Sequence, residues 1–201
     1  VREALPRPLV SRETEARIAT YLALLAAWNS RINLVGPVPA AEWRTRHVED
    51  SLQLQSFLPP EGPYADLGSG AGLPGLLLAA TGSGPWHLIE SDRRKASFLR
   101  EAARGMGLDK VTVHAERVEA ARLPPLMAVT ARALAPLEKL LPHAHRLLAT
   151  GGVAIFPKGK QAEEELTAAA PAWLMRVERF ASLTDPQATI FRLSEIRPAR
   201  A

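Results

Sequence analysis

The chain has 201 residues, 47% hydrophobic and 23% charged, enough for one substantial domain with a small extension and too apolar for a disordered chain. It contains no cysteine, which excludes disulfides, thiolate metal ligands and cysteine nucleophiles. A formal net charge of +4 permits a polyanionic partner without demanding one.

Residues 11–30 read as an amphipathic helix: Ser11 is the N-cap, Ile18, Leu22 and Leu25 share a face, and Tyr21 and Trp28 lie alongside it. After a connection through Gly36, Pro37 and Pro39, a second helix is expected from about Ala40 to Phe57, stopping before Pro59 and Pro60, with Val48, Leu52 and Gln55 along one line of it. Residues 1–60 are expected to form a helical extension and 61–201 the main domain. From Tyr64 the pattern alternates. Strands are expected at 64–67, 86–89, 111–114, 126–131 and 153–157. Between them lie helices at 74–80, 93–105 and 135–149 and a short turn at 117–120. Short apolar strands joined by helical crossovers predict an α/β fold with a mostly parallel sheet covered on both faces. Residues 168–171 read as a linker. Residues 174–183 and 189–196, separated by Thr184, Asp185, Pro186 and Gln187, predict an antiparallel hairpin at the sheet edge.

The most informative stretch is residues 66–75, Asp-Leu-Gly-Ser-Gly-Ala-Gly-Leu-Pro-Gly, between a strand and a helix. Glycines there let the backbone pass close to a ligand. Gly68, Gly70 and Gly75 do not have the spacing of a dinucleotide fingerprint, and Asp66 would repel a pyrophosphate. An acid at that place suits a cationic or amino-bearing nucleotide-like ligand, and S-adenosylmethionine carries both a sulfonium and an amino group. Asp66 is expected to orient the amino end of that ligand or the glycine turn itself. The strand at 86–89 ends in Glu90, about 20 residues beyond the loop, where an acid accepts from ribose hydroxyls. Ser91 and Asp92, which follow it, are expected beside the same cofactor.

Other polar residues carry weaker signals. His47 and Asp50 are one helical turn apart and read as a packing or capping pair joining the extension to the sheet, with a catalytic or metal pair as the alternative. His87, His114, His143 and His145 have no ligand spacing, and no metal site is expected. Lys158 and Lys160 follow a strand at the carboxyl rim where open α/β sheets bind ligands, as phosphate contacts or as solvated loop charges.

Five landmarks occur together in order. They are Arg46-His47-Val48-Glu49-Asp50-Ser51-Leu52 after Asn33-Leu34, the 66–75 loop, Leu88-Ile89-Glu90-Ser91 with Arg94-Lys95 and Phe98-Leu99, Thr130-Ala131-Arg132-Ala133, and Phe156-Pro157-Lys158-Gly159-Lys160. Over nearly its whole length the chain resembles the bacterial small-subunit ribosomal RNA guanine-N7 methyltransferases, a branch of the class I S-adenosylmethionine-dependent methyltransferases. The resemblance implies a Rossmann-like seven-stranded sheet with an N-terminal helical extension. It implies cofactor contacts at Gly68, Ser69, Gly70 and Leu73, the ribose at Glu90, and the adenine beside Val118 and Glu119. Arg132 falls beside the methyl-transfer cleft as the candidate catalytic residue, touching either RNA or the cofactor pocket. Leu73 stands where many members carry phenylalanine.

The implied reaction is methyl transfer to N7 of a guanine in 16S ribosomal RNA. N7 has an in-plane lone pair and no proton, so no general base is assigned. Arg46, Arg94, Arg132, Lys158 and Lys160 are the expected RNA contacts, and the expected partner is 16S RNA, the small ribosomal subunit or its assembly precursor, met by a monomer. Two rivals are a methyltransferase acting on another substrate and a non-catalytic RNA-binding module. No apolar run approaches the roughly 18 residues of a membrane helix. The first residues, with Glu3, Pro6, Arg7 and Pro8, lack a signal-peptide core, so the cytoplasm is the expected compartment and no membrane partner is expected.

Overall fold

The computed structural model describes residues 1–6 and 9–199; Arg7 and Pro8, read above as unlike a leader, lie outside the described residues. Helix α1 (Arg12–Ile32) starts where expected, because the Ser11 side chain accepts from the Thr14 amide at 3.0 Å. It ends at Asn33 in the left-handed region, φ 43°. The Asn29 side chain then accepts from the amides of Leu34 and Val35, which turns the chain back across the sheet.

The second helical segment departs from expectation. It is not one α-helix: a 3₁₀ turn at Ala40–Glu42 is followed by a π-helical stretch at Arg44–Glu49, one α-turn α2 (Asp50–Leu52) and a 3₁₀ stretch at Gln53–Phe57. Val48 and Leu52 are buried as expected; of the polar residues, Ser51 is buried too, and so is Gln53. Its amide takes the Leu183 N–H at 2.8 Å and donates to Ser182 and Thr184, stitching the extension to the far hairpin. π-Helical turns widen a helix and recur at functional sites.

The expected strand and helix alternation is present: β1 (Tyr64–Leu67), α3 (Gly75–Ala80), β2 (Trp86–Ile89), α4 (Arg93–Gly105), β3 (Val111–His114), β4 (Leu126–Thr130), α5 (Leu137–Leu147) and β5 (Leu148–Lys158). The fifth strand starts earlier than 153 and helix α5 ends earlier than 149. A helix that the sequence reading lacks, α6 (Ala162–Ala169), follows, and the supposed linker at 168–171 is its C-terminal end. Strands β6 (Trp173–Ala181) and β7 (Thr189–Pro198) form the expected hairpin.

All seven strands make one sheet, in the order β3-β2-β1-β4-β5-β7-β6. The pairs within β1 to β5 are parallel, and β7 enters antiparallel beside β5 with β6 at the edge. This is the Rossmann-like sheet that the resemblance implies. On one face Ile18, Tyr21 and Leu25 of α1 pack with Phe98 and Leu99 of α4 and the leucines of α3. On the other, Leu137, Leu140, Leu141 and Ala144 of α5 pack with Leu166 of α6, Val129 and Phe156. Both faces are covered, which is why the strands are short continuous apolar runs rather than alternating ones. The strand order reverses between β1 and β4, and a crevice opens there at the carboxyl ends. Among the described residues no helix is long and apolar enough to cross a membrane.

Candidate functional site

A cleft of about 1190 Å³ opens over the carboxyl ends of β1, β2 and β4. Its floor includes Gly68, Ser69, Gly70 and Leu73, one wall Glu90, Ser91, Val118 and Glu119, and the other His47, Asp50, Arg132 and Leu134. Small-molecule pockets occupy roughly 300–1,000 Å³, so this cleft has room for a nucleotide-like cofactor and for part of a second ligand.

The glycines of the loop do different jobs. Gly70 has φ +54°, and a Cβ there would meet no atom nearer than the Gly68 carbonyl oxygen at 3.8 Å. The space it faces belongs to the cleft. Gly75 faces inward: a Cβ would overlap Asp66, so this glycine serves close packing of α3 on β1. The Glu90 carboxylate ties the loop to β2, accepting from the Gly70 amide at 2.8 Å through Oε2 and from the Asp92 amide at 2.7 Å through Oε1. Each oxygen keeps a further lone pair for a hydroxyl donor. Tyr21, expected alongside the apolar face of α1, donates its hydroxyl to the Ala71 carbonyl at 2.8 Å and braces the loop from α1. Burial raises the pKa of that hydroxyl, so it stays a donor. Leu73 is buried and lines the cleft.

Asp66 does not take the cofactor-facing place expected of it. It is fully buried, and its carboxylate accepts from the Gly75 amide at 3.1 Å and the Thr130 hydroxyl at 2.8 Å. It braces the glycine turn from behind, the second of the two expected roles. Burial pushes its pKa up to about 6, against the pull of these hydrogen bonds. An acid whose folded pKa exceeds its ordinary 3.8 stabilises the fold below the lower value, and that contribution is lost as pH rises through about 6. The span corresponds to about 3 kcal/mol. Asp66→Asn, with its carbonyl toward Gly75 and its amide toward Thr130, has no such titration. Urea unfolding between roughly pH 4 and 7 is expected to show the variant gaining on the parent up to about pH 6, with the difference between them constant above it. A stability difference that stays flat with pH would contradict this.

Asp92 is also corrected. Its carboxylate is the N-cap of α4, accepting from the Arg94 and Lys95 amides, and those bonds hold its pKa low. It does not line the cleft, whereas Ser91 does. The residue type and its place just before Arg93 are an ordinary capping signal.

Arg132 lies at the far end of the cleft, just after β4. Its Nη1 donates to Asp50 Oδ2 at 2.9 Å, and both side chains are 20% exposed. Asp50 Oδ1 accepts from the Thr184 hydroxyl at 2.7 Å and from Gln53 at 3.0 Å. One carboxylate thus joins the extension, the loop after β4 and the hairpin tip. His47 and Asp50 share the cleft but not a hydrogen bond: both His47 ring nitrogens are buried without a partner. Burial, and then Arg132, lower the His47 pKa and keep the ring neutral.

The expected RNA contacts separate. Arg46 lines the cleft, 63% exposed and paired with Glu42. Arg94 is 72% exposed beside Asp92, outside the cleft lining, and Lys160 is exposed. Lys158 is not a free rim cation. Its side chain is 9% exposed, and its ammonium pairs with Glu165 at 2.8 Å and donates to the Ala135 carbonyl at 2.7 Å. A phosphate would have to break both bonds. Two of the four scattered histidines do meet, His87 Nδ1 lying 3.0 Å from His114 Nε2 across β2 and β3. Among the described residues no group of three or more histidine, cysteine, aspartate or glutamate side chains is placed to hold a metal ion.

Comparison with known proteins places this geometry. The family described as rRNA small subunit methyltransferase G (GidB) matches residues 14–190. The ribosomal RNA small subunit methyltransferase G of Rhodospirillum centenum is 56% identical over 191 residues, covering 94% of this chain and 88% of that protein. The protein of the same description from Granulibacter bethesdensis is 52% identical over 188 residues, 93% of this chain and 88% of its own length. Among solved structures, a SAM-dependent methyltransferase from Aquifex aeolicus superposes with a TM-score of 0.60 at 17% identity, over 76% of this chain and 92% of that one, a likeness of fold.

Proposed function

The chain belongs to the rRNA small subunit methyltransferase G family, and from that premise we propose that it transfers a methyl group from S-adenosylmethionine to N7 of a guanine in 16S ribosomal RNA. The observation that carries this reading is the single cleft. A glycine loop tied to an acid at one end is continuous with a paired arginine and a neutral histidine at the other.

The residues present fit the cofactor. Gly70 leaves open the space that a Cβ would fill, and Glu90 keeps lone pairs for ribose hydroxyls. When bound, S-adenosylmethionine supplies an electrophilic methyl group on a sulfonium. Gly68, Ser69, Gly70 and Leu73 line its methionine side, Glu90 and Ser91 its ribose, and Val118 and Glu119 its adenine. Arg132, which lines the cleft, would hold the target nucleotide through O6 or a phosphate, with Asp50 fixing the guanidinium at Nη1. The methylated guanine is a cation, and the Asp50 carboxylate offsets the charge that Arg132 would otherwise add beside it. Arg46, Arg94 and Lys160 add phosphate contacts around the opening. The enzyme works as a monomer in the cytoplasm, on the RNA of the small subunit or its assembly precursor.

Guanine N7 presents a lone pair without a proton, so the chain's task is to align and to exclude water, not to deprotonate. Burial and Arg132 lower the His47 pKa, and no proton transfer is assigned to it. The single-turnover rate, with cofactor and RNA saturating, is therefore expected to change by less than about threefold from pH 6 to 9. A rate rising roughly tenfold per pH unit, with binding and folding unchanged, would reveal a general base and overturn this mechanism.

A further inference from the structure

Lys158 and Glu165 lie behind the cleft rather than in it, and the bonds they make converge on one loop. Residues 132–136 connect β4 to α5 and carry Arg132. Ala133 in that loop has φ 53°, a left-handed conformation unusual for a residue with a side chain. Leu134 follows, 41% exposed, with its methyl groups directly over Gly68. Such a conformation persists only where the surroundings hold it. Helix α5 also begins without a side-chain cap of its own, because Pro136 stands at the N-cap position.

The Glu165 carboxylate, from α6, supplies what is missing. Its Oε2 accepts the Leu137 amide at 2.7 Å, at the helix end where an acid is favoured. The same oxygen pairs with Lys158 Nζ at 2.8 Å, and that ammonium donates to the Ala135 carbonyl at 2.7 Å. The end of β5 and the start of α6 thereby grip two backbone groups, one on each side of Pro136.

We propose that Lys158 and Glu165 are a positioning pair that holds the 132–136 loop, so that Arg132 reaches the target base at the angle methyl transfer requires. The inference rests on the reading of Arg132 given above. Neither side chain touches the reacting atoms; both act through the loop backbone.

The test uses the full chain with Lys158→Met, Glu165→Ala, the double variant and Glu165→Gln. Amide hydrogen exchange at Leu137 is read alongside single-turnover methyl transfer and RNA binding at several salt concentrations. Lys158→Met and Glu165→Ala are each expected to slow transfer by roughly tenfold to a hundredfold, the range a misplacement of the order of 1 Å produces. The double variant is expected to fall no further than the worse single one, because the two act as a unit. Glu165→Gln, which keeps an acceptor for Leu137, is expected to lie between parent and Glu165→Ala. RNA affinity and its salt slope are expected to stay at the parent's values, and Leu137 to exchange faster in both charge-removing variants.

A phosphate contact would instead show as a lower salt slope and weaker RNA binding in Lys158→Met, with Glu165→Ala transferring at the parent's rate. A purely structural role would lower Tm while the folded protein kept its rate and its Leu137 protection. Either result overturns the proposal. If Lys158→Met does not fold, Glu165→Gln and Glu165→Ala decide it. If the parent itself fails to methylate guanine N7, the functional reading falls, while exchange at Leu137 still decides whether the pair holds the loop.

Discussion

Gly70→Val is expected to abolish cofactor binding in a protein that still folds. Two effects add. Valine is β-branched and strongly disfavoured at φ +54°, a conformation costing about 1–3 kcal/mol in residues with side chains. Gly70 also lines the cleft, and a Cβ there meets nothing nearer than 3.8 Å, so the valine side chain is expected to take up cleft space. The Gly70 amide is the group that Glu90 holds at 2.8 Å, so any backbone relief of the strain moves the acid expected to meet the ribose. A loss of at least about 3 kcal/mol, or roughly a hundredfold in Kd, is expected. Gly70→Ala keeps the strain with less bulk and is expected to fall between. Titration calorimetry with S-adenosylmethionine, beside a thermal melt to establish folding, reads the effect. Affinity unchanged in a folded Gly70→Val protein would remove the loop from the cofactor site.

Arg132→Ala is expected to slow methyl transfer about a hundredfold while cofactor affinity stays within about threefold. On the proposed reading the loop and Glu90 would hold the cofactor from β1 and β2, whereas Arg132 stands after β4. The substitution also strips Asp50 of its charged partner, but Thr184 and Gln53 still donate to that carboxylate. The fold is therefore expected to be retained. Arg132→Lys separates charge from geometry. A lysine keeps the charge for a phosphate but lacks the planar fork that can donate to Asp50 and to a base at once. It is expected to recover RNA affinity and not the rate. Recovery of both would reduce Arg132 to a point charge, and loss of cofactor binding in Arg132→Ala would place it in the cofactor pocket instead.

The elements legible in the sequence are those whose physics is local. The runs 64–67, 86–89 and 111–114 and the helix at 93–105 appear with the expected bounds, because apolar runs and glycine turns mark them directly. Ser11 is the cap it was expected to be. Helix α6 was missed for an equally local reason. Three successive glutamates and a run of alanines give it little apolar periodicity, and only Ala162, Leu166 and Ala169 are buried. The π-helical turn at 44–49 has no sequence signal; it leads into Asp50 and Gln53, which bond Arg132, after β4, and the hairpin tip. The site divides in the same way. Glu90 follows β2 at the mouth of the cleft, where its spacing puts it, because that spacing reports the length of a strand–helix–strand unit; its bond to the Gly70 amide has no sequence signal. Asp66, expected at the ligand's amino end or at the glycine turn, takes the turn, and Lys158, expected as a phosphate contact or a solvated loop charge, is neither. Whether a charged side chain points into a cleft or behind it depends on partners from distant segments, here Thr130 for one and Glu165 for the other. The partnership of Asp50 with Arg132 spans 82 positions and is visible only in the fold.

The central claim is that the cleft delivers a methyl group to guanine N7 of small-subunit ribosomal RNA. Its most direct test incubates the protein and isotopically labelled S-adenosylmethionine with unmodified 16S RNA and, in parallel, with small-subunit particles, then digests the RNA and maps the labelled nucleosides by mass. The account predicts labelled 7-methylguanosine confined to one RNA fragment, and no label with Gly70→Val. Label on another atom or another base, label on protein, or no transfer to either substrate would contradict it.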